Sequence, residues 1–96
     1  MSPNNKIKLN ILRKKLDILD NALLKVLKKR SSLVNEVLKL KQYKSEIVDK
    51  ERIDFILKKI KKKSIQNDID PKITHRIWKS MIWSYIDYEK RKFKKK

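Results

Sequence analysis

The sequence predicts an all-α chain of three helices, one of them a long N-terminal helix. The 96 residues contain no glycine and two prolines, so little in the chain interrupts a helix. Over residues 9–43, leucine and valine recur at alternating steps of four and three, the spacing of a helix that packs lengthwise against other helices. No segment shows strand alternation, an internal repeat or a domain boundary, so we expect a single domain over residues 1–96.

The first helix is predicted over about residues 8–43, after a frayed polar start. A helix of about 35 residues is roughly 52 Å long, and two shorter helices cannot cover it. The exposed apolar stripe therefore predicts a partner, most simply a second copy of the chain. The aliphatic members of the stripe are Leu12, Leu16, Leu19, Leu23, Val26, Leu33, Val37 and Leu40.

Two shorter helices are predicted to follow. Asp49 is a favourable N-cap for the second helix, which we expect to fade before a polar link over residues 64–70. Aspartate at a cap position followed by proline at the first helical position is a strong helix start. The dipeptide Asp70-Pro71 thus predicts a third helix from Pro71 to about Lys92.

The chain is strongly basic, with 28 Lys and Arg against 11 Asp and Glu and a formal net charge of +17. The lysines are spread along every segment with few aromatics among them, so we interpret them as solvated surface. A basic helical dimer that binds nucleic acid is the alternative. One histidine and no cysteine disfavour a metal site and exclude a disulfide framework, and no cofactor is expected. Without a signal peptide or membrane span, we expect a soluble cytoplasmic protein.

Charged residues interrupt two apolar stripes. Arg30 occupies a stripe position in the first helix, where a guanidinium is costly unless an anion meets it. That anion is either a carboxylate of another helix or a ligand. Lys41 lies eleven residues later and about 20° around the helix, so the two cations face nearly the same side. The alternative to a shared anion site is that Lys41 is an ordinary lysine at a helix end. In the third helix Glu89 continues a stripe formed by Trp78, Ile82 and Tyr85. Its carboxylate is either drawn into the core or a pocket, or solvated at the helix end.

Arg13 points away from the Arg30 and Lys41 line. It lies seventeen residues before Arg30, which is about 260° around the helix. Any anion site that it serves is therefore expected to belong to the partner chain. The alternative is a surface ion pair with Asp17, one turn further along the same helix.

Together these residues resemble the all-helical, type II chorismate mutase family. Lys41, the spacing Asp49-x-x-Arg52 and the run DIDPKITHRIWKSMIWSYIDYE extend the resemblance over nearly the whole chain. The family pattern LR-x-x-ID-x-ID-x-x-LL-x-LL-x-x-R is similar to Leu12-Arg13, Leu16-Asp17, Leu19-Asp20, Leu23-Leu24, Val26-Leu27 and Arg30 of this chain.

The resemblance implies one type II domain per chain, with the three helices intertwined in a homodimer that has two shared active sites. It also implies an isomerase that converts the dianion chorismate to prephenate by a Claisen rearrangement, in aromatic amino-acid biosynthesis. That reaction requires no cofactor. Isochorismate-pyruvate lyases, which lead to salicylate, share the fold, and lyase activity is the alternative function.

The resemblance assigns four catalytic residues by position. Arg13 crosses into the partner's site and binds one substrate carboxylate, while Arg30 holds a carboxylate from within its own chain. Lys41 contacts a carboxylate and the ether oxygen. Glu89 also falls at the ether oxygen, where many members have glutamine.

Three further positions are implied to bind substrate. Asp49 and Arg52 fall near the substrate hydroxyl, and Tyr85 falls where many members have serine. The family usually has glutamate directly after the second-helix arginine, but this chain has Ile53. Ile53 and Glu89 are the two departures from the family, and an aliphatic residue at the first position is similar to the lyases.

Overall fold

The computed structural model describes residues 1–94 and confirms an all-α chain with one long N-terminal helix. Over these residues there are three α-helices and no strand, and no helix is long and apolar enough to cross a membrane. The helices are α1 (Pro3–Leu40), α2 (Lys50–Gln66) and α3 (Pro71–Lys92), with a short 3-10 turn at Lys44–Glu46 between α1 and α2.

Helix α1 begins five residues before the predicted start. The hydroxyl of Ser2 accepts a hydrogen bond from the backbone N–H of Asn5 at 3.2 Å, and its carbonyl accepts one from Lys6 at 2.9 Å. Serine at the cap and Pro3 at the first helical position together form a helix start. The expectation of a frayed start was therefore wrong.

The chain divides into two compact units, Met1–Leu33 and Val34–Lys96. The first unit is helical, and its aliphatic stripe is uncovered in the single chain. Five stripe side chains are between 55% and 61% exposed, namely Leu12, Leu16, Leu19, Leu23 and Val26. Ile18 lies two residues beyond Leu16, about 200° around the helix, and is 68% exposed. The first unit thus presents apolar surface on two sides of α1.

The second unit contains the core, in which α2 packs against α3. Leu38 is the one residue of α1 that is buried in the single chain. The buried aliphatic side chains are Leu38, Ile47, Ile82 and Ile86, and those packed around them are Val48, Ile53, Ile56, Leu57 and Phe93.

Helix α2 continues into the predicted polar link because Ser64 has a buried partner on α3. The Ser64 hydroxyl donates to the Ile60 carbonyl at 2.6 Å, and its oxygen lies 2.7 Å from the Thr74 hydroxyl oxygen. Since the one hydroxyl proton of Ser64 is directed to Ile60, Thr74 donates in the second bond. The Pro71 carbonyl, 3.4 Å from the Thr74 hydroxyl oxygen, is a longer alternative acceptor for the Thr74 proton. Only residues 67–70 form the link. Helix α3 then begins as predicted, with Asp70 accepting the backbone N–H of Lys72 at 2.9 Å.

We predict that Ser64→Ala lowers the free energy of unfolding by about 1 kcal/mol, because it removes the buried bond between the two helices and leaves the Thr74 hydroxyl only the longer contact with the Pro71 carbonyl. Ser84 provides the matched control, since its exposed hydroxyl also donates to the carbonyl four residues earlier, at 2.7 Å. Ser84→Ala should change stability by less than about 0.5 kcal/mol. Urea unfolding at equal protein concentration measures both, and equal losses would show that the bond between helices contributes nothing.

Candidate active site

An ion pair joins the end of α1 to α3 within the second unit. Lys41 Nζ lies 3.0 Å from Glu89 Oε1, and the two side chains are 18% and 7% exposed. Glu89 is therefore buried, and the interpretation that it is solvated at the helix end was wrong. A buried carboxylate is tolerable where a hydrogen-bonded cation neutralises it, as the Lys41 ammonium does here.

The chain turn after α1 fixes the position of Lys41. We predicted helix to Tyr43, but α1 ends at Leu40. The Lys41 N–H still donates to the Leu38 carbonyl at 3.2 Å, whereas the N–H groups of Gln42 and Tyr43 both donate to Glu46 Oε1, at 3.2 and 3.0 Å. This carboxylate replaces the helical acceptors and turns the chain, so that Lys41 occupies the helix end rather than its side.

Asp49 and Arg52 are placed by the start of α2. Asp49 Oδ1 accepts the backbone N–H of Arg52 at 3.0 Å, which confirms Asp49 as the helix cap. The Arg52 guanidinium carbon lies 5.5 Å from the centre of the Phe55 ring. An open cleft of about 530 Å³ is lined by Lys41 and Asp49, so the structure brings these two candidates to one surface.

The remaining candidates lie on α3 and α1. Tyr85 is half-buried, one turn before Glu89 on the same stripe. Arg30 is half-buried and Arg13 is exposed, and both belong to the first unit. Among the described residues Arg13 makes no ion pair with Asp17, so the alternative of a surface pair is not observed.

Comparison with known proteins identifies the family. A family model described as "Chorismate mutase type II" matches residues 12–90. The chain belongs to the type II chorismate mutase family. A relative from Methanocaldococcus jannaschii named "Chorismate mutase" is 36% identical over 76 residues, which cover 78% of this chain and 77% of the relative. No solved structure matches the chain significantly.

The type II chorismate mutase match includes all seven candidate positions, from Arg13 to Glu89. Of these, the structure places Lys41 and Glu89 in direct contact, with Asp49 on the same cleft as Lys41. The individual roles of the seven residues stay predictions.

Three residues that shape the candidate site, Glu46, Asn35 and Tyr88, were not among the residues predicted from the sequence. Besides Glu46, Asn35 Oδ1 accepts a hydrogen bond from the Tyr88 hydroxyl at 2.8 Å, which ties α1 to α3 next to Glu89. Glu46 could have been noticed, because it lies three residues after Tyr43 at the spacing of a capping box. The Asn35–Tyr88 pair spans 53 residues and has no local signal.

Proposed function

We propose that the chain is a chorismate mutase that rearranges chorismate to prephenate, with one type II domain over residues 1–96. The observation that carries this function is the Lys41–Glu89 contact inside the family match. The two positions that the resemblance assigns to the ether oxygen lie 48 residues apart in sequence, and their side chains are 3.0 Å apart in a partly buried place.

The rearrangement is unimolecular, and needs neither a nucleophile nor a general base. The enzyme must hold a dianion in a compact geometry and stabilise the negative charge that develops on the ether oxygen. Lys41 supplies a cationic donor for that oxygen. Glu89 supplies a second donor only when it is protonated, since an ionised carboxylate accepts hydrogen bonds and cancels the Lys41 charge.

Two arginines bind the substrate carboxylates in this proposal, because a guanidinium binds a carboxylate bidentately. Arg30 serves the site of its own chain, and the partner's Arg13 completes it. The exposed aliphatic stripe of α1 supports the intertwined homodimer that this arrangement requires. Asp49 and Arg52 then face the substrate hydroxyl, with Tyr85 near Glu89.

Isochorismate-pyruvate lyase is the second candidate function, and one observation favours it. Ile53, the residue after Arg52, packs against the core around Leu38. An aliphatic side chain in the core provides no carboxylate for the substrate hydroxyl. The lyase reaction is also pericyclic and uses the same cations, so the cationic residues do not discriminate between the two reactions.

The first test is to incubate the purified protein with chorismate and, separately, with isochorismate, and to identify the products by chromatography. We predict prephenate from chorismate.

The variant Arg30→Ala should lose about 3–5 kcal/mol of transition-state binding, which is roughly a 10²- to 10⁴-fold loss of activity. Arg91→Ala is the control, because Arg91 makes an exposed ion pair with Asp87. Near-normal turnover in Arg30→Ala would contradict the assignment, and pyruvate and salicylate from isochorismate with no prephenate from chorismate would establish the lyase.

The second test concerns pH. Wild-type activity should rise on acidification, because protonated Glu89 donates a hydrogen bond and leaves the Lys41 charge uncancelled. Glu89→Gln supplies an amide donor at every pH, so it should flatten the profile and increase the rate at neutral and alkaline pH. The control is Asp87→Asn, an exposed carboxylate of the same helix. Superimposable profiles for wild type and Glu89→Gln would place Glu89 outside the chemistry.

A further inference from the structure

A second cleft, distinct from the one beside Lys41, lies between α2 and α3 within the second unit. It is an open groove with a volume of about 440 Å³. Two apolar residues, Leu57 and Pro71, form part of its lining. The other lining residues are all basic or titratable to a cation, and these are Lys58, Lys61, Lys72, His75 and Arg76.

Few acidic residues lie near the two helix segments that form the groove, the nearest being Asp54, one turn before Lys58 on α2, and Asp70, directly before Pro71. Residues 55–66 of α2 contain five lysines and no Asp or Glu, and residues 71–86 of α3 also contain no Asp or Glu. Within the described part of the chain, none of the groove's lysines and arginine forms an ion pair with a carboxylate. Asp70, the nearest acid in sequence, caps α3 through the Lys72 backbone. Grouped like charges repel one another, and an anion bound among them relieves that repulsion.

The groove lies far from the proposed active site, and its residue His75 lies on the side of α3 opposite to two exposed isoleucines, Ile73 and Ile77. His75 is two residues from both Ile73 and Ile77, hence about 200° around the helix from each. Those two isoleucines are 55% and 52% exposed, so a partner helix that covers them leaves the His75 side open. Glu89 is fourteen residues beyond His75, about 21 Å along α3.

We propose that this groove binds a small polyanion, with phosphate or clustered carboxylate groups on an apolar or ring-shaped body. The lysines match several negative charges, and the Arg76 guanidinium can bind an oxyanion bidentately. Leu57 and Pro71 offer apolar contact to the body of the ligand. The volume is that of a small-molecule site.

The lining also excludes other ligands. No carboxylate lines the groove, so nothing there pairs with the ammonium of an amino acid. No Phe, Tyr or Trp lines it either, whereas single-stranded nucleic acid is usually bound by stacking its bases on aromatic side chains. We therefore assign the groove to a small polyanion rather than to a nucleic-acid strand.

His75 makes the site directly observable because it is the only histidine of the chain. In tag-free protein, its imidazole proton resonances report on the groove without ambiguity. The probes are tripolyphosphate, citrate and a short single-stranded RNA, titrated separately at low ionic strength and fixed pH. We expect saturable shifts of the His75 resonances at one small anion per chain, and the relative affinity of tripolyphosphate and citrate then tells phosphate from carboxylate recognition.

A matched pair of variants distinguishes the groove from the general positive charge. Lys58→Gln/Lys61→Gln removes two groove cations, whereas Lys59→Gln/Lys63→Gln removes two cations from the other side of α2, each two residues from Lys61. The groove variant should bind at least tenfold more weakly than wild type, and the control variant less than threefold more weakly.

Three results would overturn the proposal. These are equal weakening by the two variants, absence of a saturable His75 shift with both small anions, and tighter binding of RNA than of either small anion in the same titration. None of these measurements uses chorismate. Failure here therefore leaves the proposed catalytic function unaffected, and failure of that function leaves the groove assignment unaffected.

Discussion

The structure depends on a helix that its own chain cannot cover. Helix α1 has 38 of the 96 residues, about 57 Å at 1.5 Å per residue, and only Leu38 of it is buried in the single chain. Burying apolar surface stabilises a protein by about 25 cal/mol per Å². Burial of the exposed stripe from Leu12 to Val26 against a partner is therefore strongly favourable. A second copy of the chain is the simplest cover, because an isologous interface matches like surfaces. The proposed need for two chains in each active site follows from the same constraint, since Arg13 lies on the uncovered part of α1.

Where α1 meets the core, polar contacts rather than apolar packing define the geometry. Glu46 ends the helix by accepting two backbone N–H groups, and Tyr88 donates to Asn35 across the helices. Lys41 lies between Asn35 and Glu46 in sequence, and Glu89 directly follows Tyr88, so the ion pair is next to both contacts. A buried ion pair is a poor source of stability, because desolvation offsets much of the attraction between the charges. Its presence is better explained by chemistry that needs a cation and a carboxyl group in a water-poor place.

Local signals predicted the helix starts at Asp49 and Asp70, because a cap residue makes its hydrogen bond within its own first turn. The end of α2 was not predictable in this way, since Ser64 is polar in sequence and is buried only because Thr74 lies opposite. The stripe register identified Glu89 as anomalous. The burial of Glu89 depends on its pairing with Lys41, which is 48 residues away. Helical periodicity describes neighbours within one helix, so it could not predict this pairing.

Each active site is proposed to need residues from two chains, and subunit exchange tests this requirement most directly. Arg13→Ala and Arg30→Ala should each be nearly inactive as pure proteins. In a mixed dimer one site carries both substitutions and the other carries neither. After verified exchange, an equal mixture should therefore regain up to about a quarter of wild-type activity, if half of the dimers are mixed and half of their sites are intact. Recovery of activity to that order is the predicted result, and no recovery despite exchange would place both arginines in the site of a single chain.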